Sequence, residues 1–179
     1  MKIELVSYRE SWPADFERIK ARLQELIGCL KPRFEHIGST SVSGLCAKPI
    51  IDVMAGLHDE ADLDKTVRLL QNSEFIYMPV YTKEIPFRRF YIGTEEKDIP
   101  SYIPHNQRFC HLHIVPIRSE WWEDHLIFRD LLRGNEEARA EYAQYKWVLS
   151  QQEWEHMNAY ADAKTAIIQK WMDLAKREC

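Results

Sequence analysis

Two clusters of this 179-residue chain carry side chains that could do chemistry. The first is Gly38-Ser39-Thr40-Ser41, with Lys48 and Asp52 just downstream; the second is His111-Leu112-His113. A glycine that tolerates positive φ and close backbone approach, followed by three hydroxyl-bearing residues, can present N–H and O–H groups to a phosphate. Lys48 would add a point charge. Asp52 with His111 and His113 makes a mixed oxygen and nitrogen ligand set for an open three-ligand metal site, one suited to Zn²⁺, Mn²⁺ or Fe²⁺ rather than Ca²⁺. Together the clusters point to chemistry on a phosphorylated substrate.

Strands are what would position these groups. In Pro49–Leu57, Ile50, Asp52 and Met54 share one face while Ile51, Val53 and Ala55 share the other. An ionised carboxylate in such an apolar strand is costly unless it is paired or metal-bound. The plainer alternative is a structural Asp that accepts N–H groups of the preceding turn. In Phe109–Val115, both imidazoles fall on one face and Cys110, Leu112 and Ile114 on the other, the face expected to pack under helices. If the two strands share a sheet, the imidazoles and Asp52 open to the same side. The alternative is a pair of strand histidines hydrogen-bonded to neighbours or used as acid and base.

Several familiar motifs are excluded. Gly44 is followed by Leu45, so the turn is not a P-loop, and the three-glycine dinucleotide fingerprint is missing. A histidine triad would need a third His at Val115; a cupin would need a Glu where Ile117 and Arg118 stand. Arg88 and Arg89, in FRRFY, must face opposite ways on a strand. Either, or Arg108, could fork a phosphate or pair with an acid on a solvated face. Arg129-Asp130 and the helical pair Tyr160 and Lys164 are weaker candidates.

The remaining elements follow from periodicity. Ile3–Tyr8 reads as a strand. A helix follows, capped by Ser11, with Pro13 in its first turn and Trp12, Phe16, Ile19, Leu23 and Leu26 on one face. Arg33–Ile37 is a strand, Asp59–Gln71 a helix, and Phe75–Tyr81 and Pro86–Ile92 are strands. Glu95–Gln107, with Pro100 and Pro104, is a loop. Ser119 and Asn135 cap two helices, and a last helix covers about 158–176. Trp121, Trp122, Trp147, Trp154 and Trp171 fall at helical spacing and read as core. With no Gly/Ser/Pro-rich linker, residues 1–179 read as one domain: an α/β core over 1–117 with C-terminal helices over 118–179 packed on it.

Composition sets the outer limits. An apolar share of 45% and a charged share of 29%, with six Trp, eight Tyr and seven Phe, fit a folded globular protein. A formal charge of −4 disfavours duplex nucleic acid as a partner. No stretch reaches the ~18 apolar residues of a membrane span, and the N-terminus lacks the apolar core of a secretory signal. Four cysteines without paired spacing read as free thiols. A cytoplasmic location is expected.

The run HIGSTSVSGLCAKPIIDV closely resembles the signature of the GrpB-like family, with Ser43 where a proline is usual. The resemblance continues through Tyr8 and Trp12, Arg108 with His111-Leu112-His113, Phe128–Arg133, and Tyr160 with Lys164. A similar domain is fused to some bacterial dephospho-CoA kinases. The resemblance implies a nucleotidyltransferase-like α/β fold, a mixed sheet with helices on one face and a C-terminal helical extension. By that analogy Gly38-Ser39 is the turn before an Asp-x-Asp strand and Asp52 is its first, catalytic carboxylate. Met54 stands in place of the second acid, so a two-metal mechanism on Asp-x-Asp is not available as written.

Two readings follow. One is a metal-dependent transferase, using Mg²⁺, Mn²⁺ or Zn²⁺ and no organic cofactor, acting on a nucleotide or another phosphorylated small molecule. In it Asp52, His111 and His113 hold the metal, Gly38, Ser39, Thr40 and Ser41 cradle phosphate, and Lys48 with Arg88 or Arg108 neutralises charge. The other is a catalytically silent module that binds a nucleotide, a CoA-like ligand or a protein.

Overall fold

The structure, a computed structural model, describes residues 2–96, 103–155 and 157–177. Of the expected Glu95–Gln107 loop, residues 97–102 lie outside the described residues, as does Cys179. Five strands, β1 (Arg33–Ile37), β2 (Ile51–Leu57), β3 (Phe75–Tyr77), β4 (Arg89–Gly93) and β5 (Cys110–Pro116), form one mixed sheet in the order β1-β2-β5-β4-β3. β2 and β5 run parallel at its centre, and the other neighbours are antiparallel.

Period-two alternation gives the sheet two unlike faces. Val53, Ala55, Leu57, Leu112 and Ile114 bury one face against Trp12, Phe16, Leu23 and Ile27 of α1 (Trp12–Ile27) and Leu63 of α2 (Leu63–Leu69). The other face carries Asp52, Met54, His111 and His113. Helix α4 (Glu120–Gly134) covers part of it, with Trp122 packed on Ile37, Met54 and Val115. Helices α5 (Glu136–Ser150) and α7 (Thr165–Arg177) form a further layer, in which Tyr142 and Ala138 meet Ile167 and Trp171. The mixed α/β architecture with C-terminal helices is therefore the one expected.

The departures have local causes. Ile3–Tyr8 makes a single bridge, Val6 to Ala47, instead of a strand. In that register Glu4 would pair with Pro49, which has no N–H to give. β3 stops at Tyr77, and Pro79, at φ −63°, starts the short helix α3 (Val80–Glu84). The last helix is broken into α6 (Met157–Asp162) and α7; at the break the Ala163 carbonyl accepts from the Tyr145 hydroxyl at 3.1 Å. Ser119 and Asn135 accept from the N–H groups of Trp122 and Ala138, so both caps form. Ser11 makes no cap bond, and its hydroxyl donates to Asp15 instead. Trp147 is 55% exposed, because α5 turns Lys146 inward and its neighbour outward.

Candidate functional site

The functional face of the sheet opens into a cavity of about 940 Å³ beneath α5 and α6. Its floor is set by strand register. Asp52 on β2 lies directly beside His111 on β5, and Met54 beside His113. The His111 Nδ1 stands 3.2 Å from Asp52 Oδ1, and its Nε2 stands 3.5 Å from Arg108 Nη1. A guanidinium only donates, so Nε2 accepts and Nδ1–H donates to the carboxylate. Burial pushes the Asp52 carboxyl up, but the His111 hydrogen bond and the neighbouring charges of His111, His113 and Lys48 outweigh it and hold the group at about 2. Burial pushes His111 down, against the pull of Asp52.

Gly38 shapes the wall beside this pair. Its φ is +68°, and a Cβ there would stand 2.9 Å from Asp52 Cγ, overlapping the carboxylate. The turn thus holds the glycine against the acid. A short 3₁₀ turn, Ser39–Ser41, follows. Ser39 faces the cavity, where its hydroxyl meets the Lys146 ammonium at 2.8 Å. Thr40 lines the cavity too, but its hydroxyl is engaged by His36 Nε2 at 3.0 Å. Ser41 is turned away. Its hydroxyl donates to the Gly38 carbonyl at 2.6 Å, its own carbonyl accepts from Arg133, and it lines a separate groove with Arg133 and Arg139. Of the four residues expected to cradle phosphate, Gly38, Ser39 and Thr40 line the cavity and Ser41 does not.

Cations crowd the rest of the wall. Lys48, Lys146 and Lys164 all line the cavity. Lys48 Nζ and Lys164 Nζ lie 5.7 and 4.8 Å from the Tyr160 ring centre. Lys146 is 3% exposed; it donates to Ser39 and the Cys46 carbonyl and lies over the Tyr142 ring. Burial pushes Lys48 down to about 8 and Lys146 down to about 7, and their mutual charges with Lys164 add to this. Lys164 is lowered by burial as well. Arg108 is fastened to the Ile103 carbonyl at 2.6 and 2.8 Å while its third nitrogen reaches His105 and His111. The carboxylates Glu84, Glu155 and Asp162 also line the cavity, all three on exposed residues.

His113 sits apart from the Asp52–His111 pair in a stack of rings. Its ring centre is 4.9 Å from Phe90 and 5.1 Å from Trp121, and Trp121 stacks on His125 at 3.6 Å. Burial, and after it the nearby Arg88, hold His113 well below its ordinary value. Arg88 lies over Phe90 and Trp121, while Arg89 points to the opposite face and pairs with Asp64 at 2.7 Å, the divergence that alternation requires. Asp52 and His111 are thus brought together as expected, with Lys48, Arg88 and Arg108 on the same cavity. Asp52, His111 and His113 do not form the expected metal set: among the described residues no group of three His, Cys, Asp or Glu side chains is arranged to hold an ion.

Sequence reasoning missed Lys146, Tyr142, His105 and His125, and undervalued Lys164. Lys146 had a signal: Ala138, Tyr142, Lys146 and Leu149 form the buried stripe of α5, and a lysine in such a stripe needs a reason. Cys29, Cys46 and Cys110 are free thiols. Among the described residues no helix is long and apolar enough to cross a membrane.

The chain is similar to known proteins over nearly its whole length. It is 35% identical over 179 residues to a UPF0157 protein of Halalkalibacterium halodurans, covering 97% of this chain and 82% of that one. It is 28% identical over 168 residues to the glutamate-rich protein GrpB of Alkalihalophilus pseudofirmus, covering 93% and 92%. A dephospho-CoA kinase of Mycolicibacterium paratuberculosis matches at 26% identity over 90% of this chain but only 43% of its own length. The crystal structure of the conserved protein GrpB from Enterococcus faecalis superposes with a TM-score of 0.80 at 26% identity, covering 98% of each chain. The family model described as GrpB protein matches residues 2–174, and with these likenesses it establishes that the chain belongs to the GrpB family.

Proposed function

We propose that this protein binds a phosphorylated small molecule of nucleotide size in the cavity above Asp52. The observation that carries the reading is the convergence of Lys48, Lys146 and Lys164, with Arg108, on one cavity. Ammonium groups drawn out of water oppose folding unless something compensates their charge, and of the carboxylates lining the cavity only Asp52 lies on its floor, Glu84, Glu155 and Asp162 being on exposed residues. A ligand bearing two or more negative charges would supply the balance. The volume of about 940 Å³ lies within the range of small-molecule sites and suits a nucleotide. The likeness to a dephospho-CoA kinase makes dephospho-CoA a sensible probe beside ATP and CTP.

The test is thermal melting with each of the three compounds. Ligand at about 100 times Kd stabilises by about 2.7 kcal/mol, a rise of roughly 5–10 °C for a chain of this size. Lys48→Met and Lys164→Met each reduce the shift. No rise with any of the three compounds would sink the reading.

A second reading, nucleotidyl transfer at Asp52, is favoured by the ionised carboxylate beneath the Gly38-Ser39 turn. Met54 stands where a second acid would, and it is fully buried. This reading requires nucleotide turnover that Asp52→Asn abolishes; a ligand-induced shift without turnover leaves binding alone.

A further inference from the structure

Ser39 and Lys146 come together from opposite ends of the chain. Ser39 follows Gly38 on the turn between β1 and β2, and Lys146 reaches down from the middle of α5. Their side chains meet at 2.8 Å, in hydrogen-bonding contact. Ser39 is partly exposed and lines the cavity, whereas Lys146 is 3% exposed. The Cys46 carbonyl accepts a second hydrogen bond from the Lys146 amine and fixes its direction. A third residue attends the pair: Tyr142, one turn before Lys146 on the buried stripe of α5, lies beneath the Lys146 nitrogen, which stands 5.4 Å from its ring centre.

From this geometry we infer that Ser39 is a nucleophile and Lys146 its general base, a serine–lysine pair acting on a carboxylic ester or thioester carried by the phosphorylated ligand. The assignment rests on the binding reading above only for where the phosphate sits. Three features support it. A hydroxyl attacks well only when a positioned base takes its proton, and an amine serves once it is neutral near working pH. Burial, with the charges of Lys48 and Lys164, brings Lys146 to about 7, while Asp52 pulls the other way. The hydroxyl is also held at the mouth of the turn by Gly38, with no side chain on that residue to block approach.

The division of labour among the lysines matters. A phosphate set directly on Lys146 would hold it protonated and disable the base. Lys48 and Lys164, paired over the Tyr160 ring, and Arg108 offer a place for the phosphate that leaves Lys146 to Ser39. In the step itself the Ser39 oxygen bonds to the acyl carbon as its proton passes to the Lys146 nitrogen. The bond from the acyl carbon to the leaving oxygen or sulfur breaks, and that atom takes the proton back from Lys146. Water then attacks the acyl-serine, giving its proton to Lys146. The bond to Ser39 breaks, and the serine oxygen recovers a proton. The net change is hydrolysis, with no oxidant and no other reactant.

The test is covalent labelling of the full chain by diisopropyl fluorophosphate. Its phosphorus accepts the serine oxygen and releases fluoride, so reaction reports nucleophilicity without needing the natural ligand. The expected result is a single adduct mapped by peptide mass spectrometry to Ser39, absent in Ser39→Ala. Its rate should rise with pH to a plateau, with a midpoint near 7 set by Lys146 among Lys48, Lys164, Asp52, Cys46 and Tyr142. Lys146→Met should slow labelling at least about 100-fold, the usual contribution of a general base. Where that variant shows no melting transition, Lys146→Arg decides, since it keeps charge and reach but cannot take a proton.

Absence of label at Ser39 in normally melting protein overturns the inference. So does labelling that survives Lys146→Arg unchanged. A thermal shift with nucleotide but no label defeats the serine–lysine pair alone. A label without any nucleotide shift defeats the phosphate reading and leaves the pair standing.

Discussion

Gly38 and Asp52 fix each other's conformation at the centre of the site. The backbone at Gly38 has φ +68° and ψ −175°, a region essentially confined to glycine that costs another residue roughly 1–3 kcal/mol, and the missing side chain leaves the space in which the carboxylate stands. Gly44 separates the two effects, because its φ is +76° but nothing lies within 4 Å of where its Cβ would be. Gly44→Ala should therefore cost the backbone penalty alone, and Gly38→Ala should cost clearly more, read as a larger fall in urea midpoint at unchanged slope. Equal losses would mean that the carboxylate is not packed on the glycine. At this scale much of the site could be read from residue types. The carboxylate at 52 and the imidazole at 111 follow from two alternating strands once those strands are neighbours. His113 was harder to read, since its face is right but the rings of Phe90 and Trp121 claim it. Ser41 belongs to the same run as Ser39, yet a single 3₁₀ turn swings its hydroxyl to the far side. No spacing rule distinguishes the two.

Elements carry these residues, and α5 matters most because it delivers Tyr142 and Lys146. Its first turn depends on Asn135, whose side chain accepts from the Ala138 N–H at 2.9 Å while its backbone ends α4. Losing that cap should cost about 1 kcal/mol. Asn135→Ala should accordingly lower the melting temperature by roughly 2–4 °C, and Asn135→Asp or Asn135→Ser should restore most of it. An unchanged melting temperature in the alanine variant would show that α5 is held by its packing on α4 and α7 alone. The capped helices α4 and α5 and the apolar stripe of α1 were legible, as were β2 and β5. The misread segments have two causes: a proline, or a long-range partner, overrode local pattern. Pro49 denies the N-terminal strand its ladder, Pro79 starts a helix within an aromatic strand pattern, and the Tyr145 hydroxyl occupies the carbonyl at the break between α6 and α7. Trp147 shows the limit of reading by residue type, since a tryptophan at helical spacing yields the inward position to a lysine only where a cavity needs one.

The molecule as a whole keeps buried bases, and this should dominate how its stability responds to pH. Lys146 is held at about 7 and Lys48 at about 8, both from 10.5, with burial the leading cause. In the unfolded chain these amines keep their protons until near 10.5, whereas in the folded protein they begin to lose them above 7 and 8. Between those limits the unfolded state binds more protons, so unfolding becomes less favourable as pH rises. His36 and His105, lowered by burial to about 4 and about 3 from 6.5, extend the same slope to the acid side. The upper bound of the window is near 9, where ionisation of the unfolded Cys110 thiol, raised well above 9.0 in the fold, begins to act the other way. The ligand-free protein should therefore grow more stable from pH 7 to pH 9, where many proteins are level or declining. Differential scanning calorimetry at pH 6, 7, 8 and 9 reads this directly. A polyphosphate bound on Lys48 and Lys164 would raise Lys48 toward its ordinary value and remove part of the excess protons of the unfolded state. Saturating ATP should then flatten the climb while lifting the whole curve, and its stabilisation should be larger at pH 7 than at pH 9. A melting temperature that is flat or falling over this range without ligand would show that the lysines are not buried as charged groups. The cationic wall would then lose its claim to await an anion.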